Sequence, residues 1–169
     1  MKPFYSEFYE IAEAETRYFV TAGDPELPDG SYGFVESFCE KPNCDCHRVT
    51  ISVFCDNGPD KILATISYGW KNEQFYEKFL GSSKAFLKQE SFKGPYLDPL
   101  NPQSEYSQRL LSIFRCMVNE KDYEARIERH YLLFKEAVSK KQPKARKKKS
   151  RKKKNSKIKK IISFIRSIR

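Results

Sequence analysis

The chain has 169 residues, 39% of them hydrophobic and 14% aromatic, and a formal net charge of +10. Its length and apolar content favour one domain with its own core plus an appendage. No run approaches the ~20 apolar residues that span a bilayer, so no membrane-spanning helix is expected.

Taken in order, Phe4, Tyr5, Phe8, Tyr9 and Ile11 recur near helical spacing among Glu7, Glu10 and Glu13, which predicts a helix from about Tyr5 to Glu15. Thr16 to Thr21 is short, β-branched and aromatic, the signature of a strand. The loop from Gly23 to Gly30 is rich in turn residues. Its acids Asp24, Glu26 and Asp29 could take a hard cation but suit a solvated turn better. Ser31 to Cys39 reads as a strand with Tyr32, Phe34 and Phe38 on one face.

Arg48 to Cys55 alternates, with Val49, Ile51, Val53 and Cys55 on one side and Arg48, Thr50 and Ser52 on the other. By that parity Cys55 belongs to the core. After a turn at Asp56 to Asp60, Ile62, Ala64, Ile66 and Tyr68 line one face of another strand. The short connections predict an antiparallel meander of three or four strands.

Asn72 can cap a helix running to Leu80, which Gly81 ends. Residues 82 to 92 carry no clear pattern. Three prolines forbid a regular helix between Gly94 and Pro102. Gln103 to Asn119 and Asp122 to Ser139 have helical apolar periodicity. Cys116 and His130 lie on or beside those apolar faces and read as structural residues. The expected fold is therefore α+β: a small antiparallel sheet, an N-terminal helix and C-terminal helices, forming one domain over residues 1–139.

Site chemistry concentrates in one turn, Phe38-Cys39-Glu40-Lys41-Pro42-Asn43-Cys44-Asp45-Cys46-His47. In extended chain, residues two apart share a side, so Cys44 and Cys46 face one way. A turn through Pro42 and Asn43 can return Cys39 beside them. Three converging thiolates suit zinc or another soft metal. Free thiols that only pack, or disulfides, are the alternatives. His47 is the expected fourth ligand, although in a regular strand it would point away from Cys46. Asp45, Cys116, His130, water or a second chain are the other donors. Cys55 lies roughly 30 Å along an extended strand from Cys46. A three-thiolate site with an open position could also be hydrolytic, but no H-x-E, G-x-S-x-G or Walker-type motif accompanies it.

This run is similar to one in a known group. Asp24-Pro25-Glu26-Leu27-Pro28-Asp29-Gly30, then Cys39, Cys44-Asp45-Cys46 and Arg48-Val49, resembles a group of small uncharacterised prokaryotic proteins. Their pattern is D-P-x-L-P-x-G followed by C-x4-C-D-C-x-R-V. Some carry a C-terminal SEC-C motif, a short zinc-binding segment. The resemblance covers about a quarter of the chain closely and implies that Cys39, Cys44 and Cys46 form a shared motif. It brings no activity with it. The chain departs from the SEC-C members, because no cysteine follows Cys116.

The charge is divided. Of the 32 Lys and Arg, 16 fall between Lys140 and Arg169, where there is no Asp or Glu. The preceding stretch, Met1 to Ser139, sets the other 16 against all 22 Asp and Glu, a net of −6. Lys144, Arg146, Lys147, Lys148, Lys149, Arg151, Lys152, Lys153 and Lys154 form the densest run. Like-charge repulsion there argues for disorder and for binding polyanions by counterion release, without sequence readout. In a eukaryotic cell the same run would act as a nuclear localisation signal.

Beyond it, Ile158, Ile161, Ile162, Ile165 and Ile168 recur at helical spacing between basic residues. That basic amphipathic segment suits an anionic membrane surface or a groove on a protein partner. Met1-Lys2-Pro3-Phe4 leads into acidic aromatic sequence and not the apolar core of a signal peptide. An intracellular, cytoplasmic setting is expected, which favours thiolates over disulfides. The leading functional expectation is a non-enzymatic, metal-stabilised module that binds nucleic acid non-specifically through its tail.

Overall fold

The computed structural model describes residues 1–57, 61–81 and 92–140. The fold is α+β. In chain order it runs β1 (Lys2–Pro3), a 3-10 turn (Phe4–Ser6), α1 (Tyr9–Glu15), β2 (Arg17–Thr21), β3 (Gly30–Phe38), β4 (Arg48–Cys55) and β5 (Ala64–Gly69). Then follow α2 (Glu73–Leu80), β6 (Tyr96–Leu97), α3 (Ser107–Val118) and α4 (Lys121–Lys140). Among the described residues the sheet is antiparallel throughout and has six strands, against the three or four expected. The surplus is β1 and β6, two residues each. Pairs that short leave no periodicity in a sequence; only the neighbouring strand defines them.

β1 and β2 share one edge of β3, at opposite ends, while β4 lies along its other side. The register sets Phe34 opposite Val53, Glu36 opposite Ile51, and Ile51 opposite Ile66. Tyr32, Phe34, Glu36 and Phe38 therefore share a face with Val49, Ile51, Val53, Cys55, Ala64, Ile66 and Tyr68, as alternation demands. α3 and α4 cover this face. Phe34 stacks on Phe114 with centroids 6.1 Å apart, and Phe38 meets Tyr131 at 6.0 Å and Phe134 at 5.7 Å. Cys55 is buried in this core, as its parity required.

Two helix starts differ from expectation. The N-terminal helix is broken: Phe8 has φ −134° and ψ 65°, which separates the 3-10 turn from α1. Phe4 is thereby buried, stacked on Phe8 at 5.1 Å and edge-on to Phe38 at 5.9 Å. α3 starts at Ser107 and not at Gln103. Gln103 is spent on β5, its amide accepting from Thr65 N and donating to Thr65 O, each at 3.0 Å. Asn72 caps α2 as anticipated, accepting from Phe75 N at 2.9 Å, and Gly81 closes it with φ 56°. Among the described residues no helix is long and apolar enough to cross a membrane.

Candidate metal centre

The connection between β3 and β4 folds into a knuckle. Cys44 N donates to Lys41 O at 3.1 Å, closing a tight turn through Pro42 and Asn43. Pro fixes φ and Asn tolerates unusual backbone, so the sequence specifies this turn. The turn brings Cys39, at the end of β3, back onto Cys44 and Cys46. The three Sγ atoms lie within 4.8 Å of one another. None of the five cysteines is in a disulfide. This is the donor set expected of a soft-metal site.

The thiols differ in environment. Cys46 is buried, while Cys39 and Cys44 are half-buried. Burial, with the Cys44 sulfur alongside, pushes the Cys46 thiol up to about 12. Burial also raises Cys39, but the Lys41 N–H, the Cys44 thiol and the Lys135 ammonium outweigh it and hold Cys39 below the ordinary thiol value.

His47 does not join the thiol group. Its backbone takes a left-handed φ of 44°. Its Nε2 lies 2.7 Å from Asp45 Oδ1. The ring packs edge-on to Trp70 at 5.9 Å and Phe75 at 5.3 Å, and tilted on Tyr131 at 5.1 Å. Its Nδ1 is buried without a hydrogen-bond partner. The group of donors within 4.8 Å of one another is thus Cys39, Cys44 and Cys46 without His47, whose ring contacts Asp45 and the aromatic residues around it. Of the other donors considered, Asp45 is the group engaged with His47. Cys116 is exposed on α3, and His130 is committed elsewhere.

The wall of the knuckle was not legible in the sequence. Tyr131 Oη donates to Cys44 O at 3.4 Å and Lys135 Nζ donates to Lys41 O, so α4 grips both ends of the turn. Tyr76 Oη donates to His47 O at 2.7 Å. Gly69 makes that reach possible, since a Cβ there would overlap the Tyr76 hydroxyl. Arg48, next after His47, is buried with its guanidinium 4.0 Å from the Phe92 ring centroid and its Nη2 donating to Tyr96 Oη at 3.0 Å.

A second polar cluster lies on the core face. His130 is 1% exposed, with Nδ1 2.7 Å from Glu36 Oε2 and Nε2 3.0 Å from Glu15 Oε2. Arg129 also donates to Glu15. Phe4 stacks on the His130 ring at 4.2 Å. Burial raises Glu15, but its bonds to Arg129 and His130 prevail and hold its carboxyl below the usual range. Phe4, Tyr5, Thr16, Glu36 and His130 line a small cavity here, of about 10 Å³, room for one water molecule. The one available signal was parity: Glu36 sits between Phe34 and Phe38 on the core face of β3, where a carboxylate needs a partner. In the Gly23–Gly30 loop, Asp24 pairs with Arg109 at 2.7 Å and Asp29 accepts from Gly23 N at 2.6 Å, so two of its three acids have structural partners.

The basic run Lys144, Arg146–Lys149 and Arg151–Lys154 and the Ile158, Ile161, Ile162, Ile165, Ile168 face lie outside the described residues. So do most of 82–92 and the end of the Asp56–Asp60 turn. Compared with protein-family models, curated proteins and solved structures, the chain matches none.

Proposed function

We propose that the chain is a non-enzymatic module stabilised by zinc at Cys39, Cys44 and Cys46, which binds nucleic acid non-specifically through its basic tail. The observation that carries the metal reading is the meeting of three Sγ atoms within 4.8 Å on one turn. Thiolate donors select zinc over magnesium or calcium. His47 is the fourth donor in this reading. A carboxylate on one imidazole nitrogen, as Asp45 is on Nε2, is the usual support for a histidine that ligates through the other. Metal entry would require the His47 ring to turn Nδ1 toward the sulfurs.

The nucleic-acid reading rests on the charge run from Lys144 to Lys154, set against a mildly acidic remainder. A cation-rich tract binds phosphates with little sequence preference and strong salt dependence, log K on duplex DNA falling by about 0.9 per phosphate neutralised for each tenfold rise in salt.

The test has two arms. Elemental mass spectrometry of tag-free protein, purified reduced, should find about one zinc per chain, and none with Cys44→Ser. Absence of metal from the unsubstituted protein refutes the metal reading. Binding to duplex DNA and to RNA should weaken steeply with salt and disappear when residues 140–169 are removed. Vesicle binding that depends on Ile161 and Ile165, with no affinity for nucleic acid, would instead favour a membrane-surface role.

A further inference from the structure

The knuckle thiols fall into an accessible pair and a shielded third. Cys39 and Cys44 are half-buried, whereas Cys46 is buried, and the three Sγ atoms lie within 4.8 Å of one another. The Lys41–Cys44 turn holds the first two together across the loop, and the Lys135 ammonium lies beside the same turn, donating to Lys41 O. Two accessible thiols held side by side near a cation are the arrangement that thiol–disulfide exchange needs: one sulfur to attack and another to resolve. Cys46 lacks that access. The deeper consequence is geometric, since a site with three thiolates cannot survive the loss of two.

Resting on the metal reading above, we infer that the knuckle is a redox-gated metal site in which a small-molecule disulfide joins Cys39 to Cys44 and expels the metal. The Cys39 thiolate attacks one sulfur of the disulfide R–S–S–R, forming a Cys39–S–S–R bond and releasing one RS⁻. The Cys44 thiolate then attacks Cys39 Sγ, forming the Cys39–Cys44 bond and releasing the second RS⁻. Two protein thiolates are oxidised and one disulfide is reduced to two thiolates. Cys46 remains a thiol and cannot retain the metal alone. The change is felt by α4, because Tyr131 and Lys135 bond to the backbone of Cys44 and Lys41 within the same loop. In the sequence the basic run follows α4.

The experiment uses the zinc-loaded full chain carrying Cys116→Ser, which removes the exposed thiol. It is titrated with oxidised glutathione in the presence of a chromogenic zinc chelator, and the products are mapped by peptide mass spectrometry without reduction. The expected result is one zinc released for each Cys39–Cys44 disulfide formed, with Cys46 still open to alkylation after unfolding. Zinc uptake should return on reduction. Zinc retained under excess oxidant with all three thiols intact overturns the inference. So does a first linkage that includes Cys46. If the reduced chain contains no zinc and takes none up, the metal reading fails by itself. The mapping on that chain then still decides whether Cys39 and Cys44 form the first bond, and any other first bond overturns the pairing.

Discussion

α4 carries neighbouring residues into two polar clusters: His130 into the carboxylates Glu36 and Glu15, and Tyr131 against the cysteine knuckle. The two are assembled in opposite ways. The knuckle is local, its three sulfurs drawn from Cys39 to Cys46 and gathered by a single turn. The histidine cluster is long-range, joining residues 94 and 115 positions apart. Their chemistry differs accordingly. Both His130 nitrogens already have partners within the chain, whereas the three thiols converge on one another as a set of donors. One cluster is complete as a structural tie between α4, β3 and the end of α1. The other is a donor set suited to an added ion.

The largest effect is expected from breaking the complete cluster. His130→Ala would leave Glu36, itself 7% exposed, as an uncompensated buried carboxylate, at a cost of about 3–5 kcal/mol. Urea unfolding should show that loss both with and without a chelator. Pairing His130→Ala with Glu36→Gln should recover part of it, since the buried charge is then gone. Equal losses in the single and double variants would contradict the tie.

Cys44→Ser should behave differently. Its destabilisation should appear only in the presence of metal, amounting to about 2.7 kcal/mol when free zinc is a hundred times the dissociation constant. In chelator the two proteins should unfold alike. A metal-independent loss of the same size would make Cys44 a packing residue.

Acid should sharpen the contrast. Burial raises Glu15, but Arg129 and His130 prevail and depress its carboxyl below the ordinary value of 4.5. A depressed carboxyl contributes stability that is fully present above its unfolded value and is lost as pH falls through its folded value. Thermal stability should therefore decline below about pH 4.5. Glu15→Gln should flatten that decline, as read from melting temperatures between pH 6 and 3 on metal-free protein. An unchanged slope would remove Glu15 from the tie.

The smallest effect is expected at a site belonging to neither cluster. Asn72→Ala deletes the α2 cap, costing about 1 kcal/mol, and should leave zinc content unchanged by elemental analysis.

Local rules carried much of this structure into the sequence. Alternation at Val49, Ile51, Val53 and Cys55 located a strand and its buried face, because side-chain direction in extended chain has period two. Asn72 and Gly81 marked both ends of α2 because capping acts within one turn. The cysteines were legible as a site because Pro42-Asn43 dictates the turn that gathers them. Tertiary structure alone decided the rest. The strands β1 and β6 exist through their partners, and Gln103 leaves α3 because β5 offers it a better bond. His47 is packed against Trp70, Phe75 and Tyr131, three rings brought from 23, 28 and 84 positions downstream. Glu36 acquires its histidine only when α4 closes over the sheet. The division follows reach: turns, caps and alternation act over a few residues and are written in the sequence, whereas partners for buried charge and walls around a site are supplied by segments distant in the chain.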